Sequence, residues 1–213
     1  MLSHQISYNG YELYYDESGH DLKEAQRIIN TLNYACFKHN DVQFIRIDIR
    51  YPDWNFLTRE IELKIFNEFL PYLIKKCSGK NGTTYYRRSW ELEEADHPHF
   101  HMFLLVCDRP ELKYTHLLKE IDELFSLYVE SNTGYEAKGM IHFCRINKFG
   151  DRQINGIIIK QNGCIDAENF RTCVQWATYL SENRGKEKIP KHYNRFTGSQ
   201  LAPWVKHHDF PIP

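Results

Sequence analysis

The chain has 213 residues, 42% hydrophobic and 15% aromatic, with 27 basic and 28 acidic side chains for a formal net charge of -1. That apolar share excludes wholesale disorder, and the length suits one domain spanning 1–213. No run of about 18 apolar residues is present, so the sequence offers no transmembrane helix. A protein that lives on duplex DNA is usually more basic, although a local basic patch is enough to grip a few nucleotides. Met1-Leu2-Ser3-His4-Gln5 lacks the basic start and apolar core of a secretory signal. Cys36, Cys77, Cys107, Cys144, Cys164 and Cys173 form no CxxC pair. They read as small buried hydrophobes in a reducing cytoplasm.

The first predicted helix covers 21–39, where Ala25, Ile28, Ile29, Leu32 and Ala35 follow helical spacing. Val42 to Arg50 alternates apolar and polar residues and predicts a strand with one wet face, closed by Pro52. Ile61, Ile65, Phe66 and Phe69 predict a helix from Thr58 to Lys76. Strands follow at Thr83 to Glu93 and His99 to Val106, the second bounded by Pro98 and by Asp108-Arg109-Pro110. An amphipathic helix from Tyr114 to Val129 precedes two strands, Met140 to Ile146 and Gln153 to Lys160. Asp166 then caps a helix running to about Glu182. Short connections between neighbouring strands favour antiparallel pairing, so the expected fold is α+β, a central antiparallel sheet with helices packed on it.

Three segments carry chemistry. In a strand at His99-Phe100-His101, alternate residues share a face, so both imidazoles project together while Phe100 enters the core. Glu91 and Glu93 share a face of the preceding strand, and a pairing through the 94–97 turn brings a carboxylate to the same point. Two histidines and one carboxylate leave coordination positions open, as a catalytic metal site requires, and the oxygen ligand suits Mg²⁺ or Mn²⁺ acting on phosphate. In the last helix Tyr179 lies beside the apolar stripe of Phe170, Val174, Ala177 and Leu180. It is a candidate nucleophile toward a phosphodiester. A basic run follows it, Arg184, Lys186, Lys188, Lys191 and Arg195, suited to phosphates. Tyr85, Tyr86 and Trp90, with Arg87 and Arg88, offer either a stacking surface for single-stranded DNA or ordinary sheet packing. His142 reads as a core-edge histidine rather than a ligand.

These segments, in this order, resemble the HUH (His-hydrophobe-His) endonuclease superfamily, and more narrowly the YagK/YfjJ-like family of inovirus-type replication proteins. Phe44 to Pro52 is similar to that family's first strand, and Trp90 to Glu93 ahead of His99 and His101 to its metal-site segment. Ala177-Thr178-Tyr179-Leu180-Ser181 resembles its tyrosine helix. Asn194 to Gln200 resembles its C-terminal block with Gly and Thr transposed. The likeness covers roughly residues 40 to 200. It implies an HUH/RRM-like fold with a basic C-terminal extension from about 184, in which His99, His101 and Glu93 bind the metal and Tyr179 is the nucleophile. It further implies single-stranded origin DNA as substrate, a 5′-phosphotyrosine intermediate in rolling-circle replication, and a host helicase as partner. The setting it implies is the cytoplasm of a bacterium carrying a phage or mobile element.

Two positions depart from the family pattern. Glu182 stands where a lysine is usual, three residues after the tyrosine, with Arg184 or Lys186 as substitutes. Gln175 and Asn183 stand where a second tyrosine would share the helix face, so the pattern is that of a single-tyrosine enzyme. Two other readings stay open: an HUH-fold DNA-binding or regulatory protein with weak or lost catalysis, and a structural or sensory metal-binding domain. The second explains the histidines but leaves the tyrosine helix and basic run without a role.

Overall fold

The structure is a computed structural model that describes residues 2–3, 7–14, 17–51, 58–92, 99–136, 138–144, 155–183, 186, 189–190 and 193–201. Four helices carry the chain: α1 (Leu22–Lys38), α2 (Arg59–Ser78), α3 (Tyr114–Thr133) and α4 (Ala167–Thr178). The main strands are β5 (Val42–Arg50), β6 (Thr83–Glu91) and β7 (His99–Cys107). Short strands are β1 (Leu2–Ser3), β2 (Ser7–Tyr8), β3 (Tyr11–Glu12), β4 (His20–Asp21), β8 (Ile141–His142), β9 (Ile157–Gln161), β10 (Cys164–Ile165) and β11 (Phe196–Gly198).

The principal sheet runs β10-β9-β5-β7-β6-β11, with β8 also paired to β5, and every pairing in it is antiparallel. The expected α+β class is therefore the observed one. Helix starts follow the sequence closely. Asp21 caps α1 by accepting the amides of Lys23 and Glu24, and Asp166 caps α4 by accepting that of Asn169. Strand ends follow less closely: only Ile141–His142 and Ile157–Gln161 form strands among the described residues of the two late segments. The sequence reading also missed β11, which pairs Phe196, Thr197 and Gly198 with Ser89, Arg88 and Arg87.

The two-residue period of β7 divides the interior into two layers. Phe100, Met102, Leu104 and Val106 face α2 and α3, in one apolar cluster with Ile45, Ile47, Ile49, Phe66, Phe69, Ile121 and Phe125. Phe103, Leu105 and Cys107 face α1 and α4 with Phe44, Ile28, Leu32, Phe170 and Val174. On this second face the apolar packing stops at Phe103, and His101 and His99 continue the row toward the other end of the strand. No helix among the described residues is long and apolar enough to cross a membrane.

Candidate metal and tyrosine site

The site is built where three central strands present polar residues to the α1/α4 side. Register sets His101 between Asp48 of β5 and Ser89 of β6, and sets His99 between Arg50 and Glu91. Because side chains two apart share a face, Arg46, Asp48, Arg50, Ser89, Glu91, His99 and His101 all rise from one side of the sheet. The expected sharing of a face by His99 and His101 is met, and Phe100 is fully buried on the other side.

His101 is only 2% exposed, not half-exposed as a ligand at a strand end would be. Its Nδ1 lies 2.8 Å from Asp48 Oδ1 and its Nε2 3.4 Å from Glu91 Oε2. At these separations the carboxylates act on the imidazole through charge first and hydrogen bonding second. Burial by itself would lower the imidazole pKa, but the carboxylates of Asp48 and Glu91 outweigh it and hold the group at about 9. The carboxylates respond in kind. Burial would raise Glu91, but His101 first and Lys186 second bring it down to about 2. Burial would likewise raise Asp48, and His101 with Arg46 holds it well below the usual carboxylate range.

Tyr179 does not lie on the helix as expected. The α-helix stops at Thr178, and Tyr179–Ser181 forms a 3₁₀ turn. The tighter winding rotates the ring off the α4 stripe and over the charged end of the sheet. There its ring meets His101 edge-on with centroids 5.1 Å apart, and the Arg46 guanidinium carbon lies 4.2 Å from the ring centre. Tyr14 closes the other side, edge-on at 5.3 Å. His20 fixes the turn through Ser181 Oγ at 2.8 Å and the Tyr14 carbonyl at 2.6 Å. Burial raises the Tyr179 hydroxyl pKa, as do Glu91, Asp48 and Glu182, against a lowering by Arg46.

Lys186 is fully buried, and its Nζ lies 2.5 Å from Glu91 Oε1. The sequence reading grouped it with a phosphate-holding basic run; instead it reaches the carboxylate next to the histidines. Glu182, where the family pattern has lysine, is buried too and forms a β-bridge with His20. The basic group thus enters the site four residues later than the pattern places it.

The other expected residues fare differently. Glu93, Arg184, Lys188 and Lys191 lie outside the described residues. Arg87 and Arg88 occupy opposite faces of β6, so they form no common patch. Arg87 is buried and ion-paired with Glu24 of α1. Arg88 donates to Thr197 Oγ1 and Asn67 Oδ1 at 2.5 Å each and covers the Phe66 ring. Arg195 is half-buried and its carbonyl accepts the Trp90 amide. Tyr85 and Tyr86 also split between the faces, while Trp90 is buried and donates to the Asn194 carbonyl. The sheet-packing reading of these aromatics is the one the side chains follow. Sequence reasoning missed Asp48 and Arg46, although the polar alternation of Val42 to Arg50 was legible.

His101 Nε2 and Glu91 Oε2 are two metal-ligating atoms 3.4 Å apart, with His99 beside them in register. Among the described residues, however, the group of three whose ligand atoms all come within 4.8 Å of one another is Asp48, His142 and Cys144. Glu91 is the carboxylate of that strand that lies beside His101, while Glu93 lies outside the described residues.

No family model and no curated protein matches the chain. The functional reading rests on this site and on the likeness of its motifs.

Proposed function

We propose that the chain is a replication-initiator-type nicking enzyme that cleaves single-stranded DNA through a phosphotyrosine. His99, His101 and Glu91, with Glu93 beside them in sequence, would hold Mg²⁺ or Mn²⁺. Such an ion supplies polarisation of a phosphate oxygen. The Tyr179 oxygen forms a bond to the scissile phosphorus as the phosphorus–O3′ bond breaks. The 3′-oxygen leaves and takes up a proton, and the tyrosine gives up its own. The 5′ end stays on Tyr179, and return attack by the 3′-hydroxyl reseals the strand. Arg46 under the ring and Lys186 on Glu91 are buried and offset the charges of Asp48 and Glu91, which would otherwise repel an anionic substrate.

The observation that carries this reading is the edge contact of Tyr179 with His101 at 5.1 Å. Among the described residues, the tyrosine named from the motif order lies against a motif histidine. The test is incubation of the chain with single-stranded DNA and Mn²⁺, followed by a denaturing gel. A covalent protein–DNA band that disappears in Tyr179→Phe supports the proposal; nicking by Tyr179→Phe at the wild-type rate makes a metal-activated water the nucleophile.

A second reading, a DNA-binding or regulatory protein with weak catalysis, is favoured by one contact. The Lys186 ammonium already occupies Glu91 and competes with a divalent ion for that carboxylate. The same gel separates the two, because this reading gives retention of DNA under native conditions and no covalent band.

A further inference from the structure

A second group of ligating side chains lies on the far side of Asp48 from His101. Register pairs Asp48 of β5 with His142 of β8, and Cys144 follows two residues on. One ligand atom from each of Asp48, His142 and Cys144 lies within 4.8 Å of the others. Asp48 and Cys144 are buried, and His142 is exposed. The sequence reading had placed His142 at the edge of the core.

Local structure holds these three in place. Asn155 is buried and clamps the backbone after β8 onto β5: its Nδ2 donates to the carbonyls of Arg46 at 2.6 Å and Phe143 at 2.7 Å. Its Oδ1 accepts the Arg46 amide at 2.9 Å. Cys144 adopts φ 47°, a left-handed backbone rare for a residue with a Cβ. Its amide donates to His142 Nδ1 at 3.3 Å, which engages that nitrogen's lone pair and holds the ring beside Cys144, so a metal would bind at Nε2 or displace this contact.

We propose that Asp48, His142 and Cys144 form a binding site for a borderline transition-metal ion of the Zn²⁺ or Co²⁺ type. Sulfur and imidazole ligands select such an ion over Mg²⁺, which prefers oxygen. Three protein ligands leave a fourth position to water or to a substrate atom, and the exposed face of His142 is the way in. A divalent ion with one thiolate and one carboxylate is charge-balanced, and the thiol proton is released on binding. The proposal does not rest on the nicking reading, which uses the Nε2 side of His101, although the two groups share Asp48 as a neighbour. Asp48, between the two, makes occupancy of this site felt at His101.

Co²⁺ titration of the full chain tests this, because only a thiolate ligand produces a sulfur-to-cobalt charge-transfer band in the near ultraviolet. The expected result is one equivalent of Co²⁺ giving that band in wild type and in a His99→Ala/His101→Ala double variant. Cys164→Ser, which removes the exposed cysteine, keeps it. Cys144→Ala abolishes it. His142→Ala, a change at an exposed position that leaves folding intact, weakens Co²⁺ binding about tenfold or more. Absence of the band in wild type overturns the proposal, as does its survival in Cys144→Ala or unaltered affinity in His142→Ala. Loss of the band in the histidine double variant, with the far-ultraviolet circular dichroism of wild type retained, would make the thiolate site depend on His99 and His101 and overturn it equally.

Discussion

The two faces of β7 differ in what they bury. Toward α2 and α3 the strand presents Phe100, Met102, Leu104 and Val106 to a layer of aromatic and aliphatic rings, with Phe66 and Phe100 in close contact at 4.2 Å between centroids. Toward α1 and α4 the same strand begins with His99 and His101, near Asp48, Glu91, Arg46 and Lys186, and only then turns apolar. The apolar face gains from every atom removed from water. The polar face must compensate each buried charge with an opposite one, and it tolerates no single deletion well. A sheet with one conventional face can carry such a cluster because the other face supplies the stability.

The largest expected contrast is in chemistry. Tyr179→Phe keeps the ring against His101 and Arg46, so its unfolding midpoint should match wild type while covalent adduct formation falls to nothing. A midpoint lowered by several degrees would show that the hydroxyl holds the fold.

Next in size is a pair of truncations of similar cost and different cause. Phe100→Ala opens a cavity and should cost about 3–5 kcal/mol. His101→Ala leaves Asp48 and Glu91 facing each other without their cation and should cost about 3–5 kcal/mol as well. Denaturant unfolding at low pH separates them: part of the His101→Ala loss returns as the carboxylates take up protons, and the Phe100→Ala loss does not. Equal recovery in both would remove the distinction between the faces.

The pH dependence of the metal-free chain follows from the same cluster. His101 is raised from 6.5 to about 9, so its contribution is complete below about 6.5 and is lost as pH rises through 9. Glu91 is lowered from 4.5 to about 2, so its contribution is complete above about 4.5 and is lost as pH falls through 2. Stability measured with a chelator present should be flat between those limits and should fall by roughly 3 kcal/mol toward pH 10. A flat profile through pH 9 would mean that His101 is neutral between the carboxylates. Divalent metal should shift the alkaline fall, because a ligating imidazole must give up its proton.

The smallest effect belongs to the exposed end of the row. His99 is half-buried at the start of β7, and His99→Ala should change stability by less than about 1 kcal/mol. It should still reduce Mn²⁺ affinity measured by calorimetry. Unchanged affinity would leave His101 and Glu91 without this partner and weaken the proposed ligand set.

Periodicity alone determined the α+β class, the four helices and the three central strands, because a 3.6-residue or 2-residue pattern of apolar side chains is a local property of the chain. It also put His99 and His101 on one face and Phe100 on the other, whereas Tyr179 was singled out by the likeness of the motif order rather than by its place beside the apolar stripe. What the sequence left open was which strands lie side by side. Asp48 becomes the partner of His101 only because β5 pairs with β7, and the neighbour of His142 only because β8 pairs with β5. Arg87 and Lys186 read as DNA-binding cations in the sequence, and the fold instead brings Glu24 of α1 to one and Glu91 of β6 to the other. The shift of Tyr179 into a 3₁₀ turn is tertiary as well, imposed by His20 holding Ser181 from a segment some 160 residues earlier. Pairing between distant segments is decided by the summed burial of both faces, and a buried charge is placed where its partner arrives, which no local pattern encodes.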